Sequence, residues 1–169
     1  MLRFSLKKLL ILDRDGVINQ PPAVPHRYIL TIQDLILNRH IVEIIIRAQS
    51  DNWFVCCATN QQAIGKNILT YQGISAIHNY VNENIVESGG RPLHFFVCPH
   101  LQSDLCFCRK PKPGLIFQAL ETYGLNKEMD QVIFVGDQET DKLSAEFAGV
   151  KYLPFSNSLN YSDIIRKHS

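Results

Sequence analysis

The sequence predicts a three-layer α/β domain with a mostly parallel central sheet, and three observations carry that expectation. Short apolar runs alternate with longer amphipathic stretches along the chain, the pattern of strands and helices in a parallel sheet. Glycines stand where two of the helical stretches must stop. Three of the apolar runs end in polar clusters, and in an open, Rossmann-like sheet the ligand crevice lies outside the carboxyl ends of the strands. A length of 169 residues fits one domain over the whole chain, 1–169, able to bury about 70% of the surface its unfolded form exposes. It leaves no room for a large separate cap domain.

Taken in order, the first strand is read at Lys8 to Leu12. The segment Gln20 to Arg27 follows, and Pro21, Pro22 and Pro25 make it a loop that continues neither strand nor helix. Apolar residues at helical spacing predict a helix over Ile32 to Ala48, then a strand over Trp53 to Ala58. A second helix over Leu69 to Glu87 leads to a third strand at Leu93 to Val97. Gly114 to Tyr123 is the next helix, stopped by Gly124, and Val132 to Val135 the fourth strand. Glu139 to Ala148 is stopped by Gly149 and followed by a short fifth strand at Lys151 to Leu153. After Pro154 the pattern fades, and the last residues are expected to fray.

Composition narrows the function classes. Seventeen basic and sixteen acidic residues leave a formal charge of +1, with no run of like charges to grip nucleic acid or an anionic membrane. A small-molecule substrate is expected, with no nucleic acid and no membrane as partners; the oligomeric state stays open. The apolar run Leu9 to Leu12 stops at Asp13, too early for a signal-peptide core. Five cysteines, an odd number beside no export signal, favour reduced thiols and metal binding and hence a cytoplasmic location.

The chemistry gathers at three strand ends. Leu12 runs into Asp13-Arg14-Asp15-Gly16, Ala58 into Thr59-Asn60-Gln61, and Val135 into Gly136-Asp137. Two carboxylates at i and i+2 can reach a common phosphate, and Asp137 adds a third, a set suited to a hard cation such as Mg²⁺. Phosphate monoesters resist unaided hydrolysis so strongly that no single effect supplies the needed acceleration. Covalent attack by a carboxylate, neutralisation of the phosphoryl oxygens and protonation of the leaving oxygen divide the task. Asp13, Mg²⁺ with Thr59 and a lysine, and Asp15 can fill those roles in that order.

Asp13-Arg14-Asp15-Gly16-Val17, Thr59-Asn60-Gln61, Arg109-Lys110-Pro111-Lys112-Pro113-Gly114 and Gly136-Asp137 with Asp141 resemble the four ordered motifs of the haloacid dehalogenase superfamily. Within it the chain is similar to the group of heptose-bisphosphate and histidinol-phosphate phosphatases. The resemblance implies a hydrolase with Asp13 as nucleophile and Asp15 as general acid and base. Mg²⁺ would rest on the Asp13 side chain, the Asp15 carbonyl and Asp137. Thr59 and Lys110 would bind the transferring phosphoryl group, and Arg109 would contact the substrate; Asn60 at the second strand end and Tyr28 beside the loop Gln20 to Arg27 are further candidates to face it. The same group carries a zinc loop, and Cys98-Pro99-His100 with Cys106-Phe107-Cys108 supplies three thiols and an imidazole, enough to close a structural Zn²⁺ site. The substrate implied is a small phosphorylated sugar or polyol of carbohydrate metabolism, D-glycero-D-manno-heptose 1,7-bisphosphate first and histidinol phosphate second. A catalytically silent, zinc-stabilised binding module is the non-enzyme alternative, opposed by the presence of both Asp13 and Asp15. Gln138 and the stretch Gln62 to Lys66 depart from the pattern of heptose-specific relatives.

The remaining polar and sulfur-bearing residues read as ordinary. Asp141 is expected to serve the dipole of its helix more than a metal, and Lys112 to be a solvated charge. Cys56 and Cys57 lie within an apolar strand and read as core. His26, His40, His78 and His94 have no partner pattern and read as structural or exposed. Gly65-Lys66 lacks the spacing of a nucleotide loop.

Overall fold

In the computed structural model of the chain, residues 6–23 and 27–165 are described; His26 and the tail end expected to fray lie outside them. Five strands, β1 (Lys8–Leu12), β2 (Phe54–Asn60), β3 (His94–Cys98), β4 (Gln131–Gly136) and β5 (Lys151–Pro154), form one sheet in the order β3-β2-β1-β4-β5. Every pairing is parallel. Since β1 to β3 extend the sheet one way and β4 and β5 the other, the order reverses between β1 and β4, where such sheets open their crevice.

Strand periodicity divides the core into two layers. Leu10, Leu12, Val55, Cys57, Ile133 and Val135 pack on one face; Leu9, Ile11, Cys56, Ala58, Val132 and Phe134 pack on the other. Neighbouring residues along a strand point to opposite faces, and with both faces covered these strands read as continuous apolar runs. The first face is covered by α1 (Arg39–Ser50) and α3 (Tyr71–Glu87), the second by α4 (Gly114–Tyr123) and α5 (Glu139–Ala148). Two short helices, α2 (Gln62–Gly65) and α6 (Tyr161–Ile165), complete the described set. Thr70 caps α3 by accepting from the Gly73 N–H at 3.0 Å. Gly124 and Gly149 end α4 and α5 in the left-handed conformation, as expected of helix stops. No helix of the described residues is long and apolar enough to cross a membrane.

The expected helix over Ile32 to Ala48 is corrected: the helix proper begins only at Arg39. The Asp34 carboxylate accepts from the Thr31 N–H at 2.9 Å and the Thr31 hydroxyl at 2.8 Å, closing a single 3-10 turn over Ile32–Asp34. The chain then runs extended beside the loop that leaves β1. Gln20 N–H donates to Ile36 O at 2.8 Å and Asn38 N–H to Ile18 O at 2.9 Å. Backbone groups committed to that loop cannot close helical rungs.

Candidate active site

The three strand-end clusters converge. β1 and β4 are direct neighbours with Leu12 paired to Val135, so the residues that follow them, Asp13 and Asp137, emerge side by side. Gly16 allows this approach: it sits at φ +98°, and a side chain there would collide with the Asp137 carboxylate. Gly136 gives Asp141 the same room. Oxygens of Asp13, Asp137 and Asp141 lie within 4.8 Å of one another. Asp13, Asp15, Tyr28, Thr59, Asn60, Arg109, Lys110 and Asp137 all line one cleft of about 410 Å³, together with Pro21, Pro22 and Arg27 of the loop after β1.

Lys110 lies at the centre of the charge balance. Its ammonium is 2.6 Å from Asp13 Oδ1 and 2.6 Å from Asp141 Oδ1, with all three side chains nearly fully buried. It also donates to the Ala58 carbonyl at 3.0 Å. Burial opposes its charge, but the two carboxylates hold it protonated, its pKa raised. Burial pushes the Asp13 carboxyl up to about 7; Lys110 counters this, while Asp141 and Asp15 add to it. Burial likewise raises Asp137, which Gln138 partly offsets through a 2.8 Å hydrogen bond. Asn60 spends both ends of its amide on the Lys110 backbone, donating to its carbonyl at 3.1 Å and accepting from its N–H at 3.0 Å. The strand end of β2 thus fixes the loop that carries the lysine.

Asp15 faces a different set of partners. Arg14, fully buried, grips its carboxylate through Nε and Nη2 at 2.8–3.0 Å. Asn19 donates to Oδ1 at 3.0 Å and Gln61 to Oδ2 at 2.9 Å. Burial alone would raise its pKa, yet Arg14, Asn19 and Gln61 together hold it below the ordinary value.

Three residues given ordinary roles by the sequence have partners that only the fold supplies. Asp141 does accept from the Gln138 N–H at 3.1 Å, as a residue in the first turn of a helix should, but the same carboxylate also holds Lys110. Lys112, expected to be solvated, donates to the Leu105 and Cys106 carbonyls at 3.0 and 2.7 Å. His78 is buried, lies 3.4 Å from Arg14 Nη1 and stacks on Phe95 with ring centroids 3.9 Å apart. Its position among Ile74, Ile77 and Val81 on α3 marks a core stripe, and nothing local in the sequence announces the arginine. His40 bonds the Leu159 carbonyl and His94 lies against Phe96. Cys56 and Cys57 are core thiols whose pKa burial pushes well up.

Desolvation and the neighbouring Arg14 charge lower the His78 pKa to about 3. The unfolded chain, with His near 6.5, binds this proton at mildly acid pH while the folded chain does not. Stability therefore falls as pH drops from about 6.5 towards 3. His78→Gln is expected to remove about one proton from the slope of unfolding free energy between pH 4 and 6, read from denaturant midpoints. An unchanged slope contradicts the assignment.

The cysteine loop lies beside the lysine. Sulfur–sulfur separations among Cys98, Cys106 and Cys108 are 3.3 to 3.7 Å, and His100 Nδ1 is 3.6 Å from Cys98 Sγ and 3.2 Å from Cys108 Sγ. Tetrahedral bonds of about 2.3 Å to sulfur and about 2.0–2.1 Å to nitrogen set ligand edges of roughly 3.5–3.8 Å, so the four residues fit a zinc ion. Arg109, next along the chain, donates to the His100 carbonyl at 3.1 Å and the Gln62 side chain at 3.4 Å. Lys66 donates to the hydroxyl of Tyr28, which lines the cleft, at 3.0 Å.

Among known proteins, a Pseudomonas aeruginosa D-glycero-beta-D-manno-heptose-1,7-bisphosphate 7-phosphatase is 38% identical over 135 residues, 80% of this chain and 73% of that one. The crystal structure of the D,D-heptose 1,7-bisphosphate phosphatase of B. bronchiseptica, complexed with magnesium and phosphate, superposes with a TM-score of 0.77 at 31% identity, covering 87% of this chain and 78% of the other. The histidine biosynthesis bifunctional protein HisB of Legionella pneumophila is 29% identical over 153 residues, 90% of this chain but 42% of that protein. The model of the polynucleotide kinase 3 phosphatase family matches residues 4–160, so the carboxylates, the lysine and the residues of all five strands fall within the match. By that match the chain belongs to this family of haloacid dehalogenase-like phosphatases.

Proposed function

We propose that the chain, acting as one catalytic domain, hydrolyses the phosphomonoester of a small phosphorylated sugar, with D-glycero-D-manno-heptose 1,7-bisphosphate as substrate. The observation that carries this reading is the Asp13, Lys110 and Asp141 cluster opening beside Thr59 and Asp137 in one cleft. Asp13 is the nucleophile: one carboxylate oxygen attacks phosphorus while the alcohol departs, and water later releases phosphate from the aspartyl ester. Asp15 donates the proton to the departing oxygen and takes one from the attacking water. Lys110 and the Thr59 hydroxyl hold the phosphoryl oxygens. The side chains of Asp13 and Asp137 with the Asp15 carbonyl would hold Mg²⁺, which neutralises phosphoryl charge. The carboxylate of Asp15 itself is turned to Arg14, Asn19 and Gln61, consistent with a contribution through its carbonyl.

The choice of a bisphosphate draws on charge at the rim. Arg27 and Arg109 line the cleft and offer cations to a second phosphate beyond the one transferred. Histidinol phosphate, the second reading, is favoured by the similarity to HisB, but its free end is an ammonium that these arginines repel. Phosphate release from the two esters, measured side by side with Mg²⁺, is the test. A charge-assisted hydrogen bond is worth about 1.5–3 kcal/mol, so kcat/KM should favour the heptose ester by about 10- to 100-fold. Equal rates, or preference for histidinol phosphate, remove the substrate assignment and leave the reaction type.

A further inference from the structure

We infer that Gln61 is a positioning residue that ties the phosphoryl-binding hydroxyl of Thr59 to the carboxyl of Asp15, fixing the proton donor beside the departing oxygen; this rests on the roles proposed above for Thr59 and Asp15. Gln61 is buried, and its backbone N–H donates to the Cys98 carbonyl at 2.7 Å, anchoring it at the ends of β2 and β3. Its side-chain nitrogen donates to Asp15 Oδ2 at 2.9 Å and to Thr59 Oγ1 at 2.9 Å. An ionised carboxylate only accepts, so the amide orientation is forced: nitrogen, with its two hydrogens, must face Asp15. Both hydrogens are then committed.

The consequences differ at the two ends. Thr59 Oγ1 is made an acceptor, so its own hydrogen is free to donate into the cleft, where a phosphoryl oxygen would lie. At Asp15, Arg14 and Asn19 converge on Oδ1 with three donated hydrogen bonds, while Oδ2 receives two, one from Arg14 and one from Gln61. Oδ2 thus carries the fewer donors, so a proton arriving there displaces one of two rather than one of three, and Gln61 sets where that oxygen points. A buried amide that merely satisfied its own hydrogen bonds would be indifferent to which step of the reaction is slow. A residue acting through the proton donor cannot be indifferent.

The test compares kcat/KM, which reports the step in which the alcohol departs, for 4-nitrophenyl phosphate and for a simple alkyl phosphate. The nitrophenolate needs no proton to leave; the alkoxide does. General acid assistance contributes about 10²–10⁴-fold, so Asp15→Asn should lose about that on the alkyl ester and far less on the aryl ester. Gln61→Met keeps side-chain length without the amide. It should lower the alkyl-to-aryl ratio of kcat/KM by about tenfold or more, a partial loss of the same assistance. In the Asp15→Asn background the same substitution should change that ratio less than about threefold, because the two act as one unit. The ratio is taken on a single preparation, so a smaller folded fraction cancels, and Gln61→Leu serves as the second variant. If Gln61→Met lowers both esters equally, or lowers the ratio as much without Asp15 as with it, the inference is overturned. If Asp15→Asn itself leaves the ratio unchanged, it is the role of Asp15 that fails.

Discussion

Replacing Asp13 by asparagine is expected to lower phosphate release by a factor on the order of 10⁴ or more, because losing the nucleophile of a covalent mechanism costs about as much as losing the whole constellation. The amide keeps the size of the carboxyl group but is far too weak a nucleophile to form the phosphoryl bond. Charge accounting indicates that the fold survives the change. The buried cluster holds one ammonium between the carboxylates of Asp13 and Asp141, an excess of one negative charge, and a neutral amide in place of the Asp13 carboxylate would leave a single buried pair of Lys110 with Asp141. Removing Lys110 instead would strand two buried carboxylates together, the costly direction for an ion pair. The melting temperature of Asp13→Asn should therefore stay within a few degrees of the parent, read with and without Mg²⁺. Acid-quenched parent protein should carry one labile phosphoryl group after mixing with substrate, and the variant none. Retention of more than a tenth of the parent rate by the variant would dismiss Asp13 as the site of covalent chemistry.

What could be read from the sequence and what could not follow one physical distinction. The five strands were legible because a sheet covered on both faces demands unbroken apolar runs, and the polar clusters at their ends were legible because the same runs stop abruptly. Even so, β2 reaches Asn60 and β3 reaches Cys98, past the apolar signal, since ladder hydrogen bonds do not end where hydrophobicity does. The helix expected from Ile32 failed because periodicity cannot show that Asp34 closes a local turn or that Ile36 pairs with Gln20. Among the site residues, Asp13, Thr59, Lys110 and Asp137 were found at strand ends and in motifs, and they line one cleft. Arg14, Gln61 and His78 were not assigned work, because each acts through a partner that only folding brings near. Asp141 shows both halves: its place in the first turn of α5, expected to serve the helix dipole, is local, while its bond to Lys110 crosses from one loop to another.

Stripping the cysteine loop of metal should be the most destabilising perturbation available to this fold. A structural zinc site is worth about 10–16 kcal/mol of apparent binding free energy at neutral pH, more than the whole net stability of about 5–15 kcal/mol typical of a domain. The segment carries little regular structure of its own. Between Cys98 and Lys110 the described secondary structure is a single 3-10 turn at Gln102–Asp104, and Leu105 and Phe107 point largely into solvent, so this loop has almost no apolar core of its own. Its other ties are the Lys112 ammonium on the Leu105 and Cys106 carbonyls, the Arg109 contact with His100, the Gly65 N–H on the Pro99 carbonyl at 3.0 Å, the Gly114 N–H on the Phe107 carbonyl at 3.3 Å and the Phe107 ring stacked beside Phe117. Cys106→Ser removes one thiolate and should lower the melting temperature by more than 10 °C, since about 1 kcal/mol corresponds to roughly 2–4 °C in a domain of this size. Protein purified without chelator should hold close to one zinc per chain, and the serine variant much less. Because Lys110 follows the loop directly, zinc loss should also loosen the lysine's hold on Asp13 and Asp141, leaving it restrained from the β2 side through Asn60 and the Ala58 carbonyl. Adding Mg²⁺ alone to zinc-stripped protein should then fail to restore phosphate release, while adding Zn²⁺ first should restore it. A chain that carries no zinc and melts at the same temperature with serine at position 106 would refute the site.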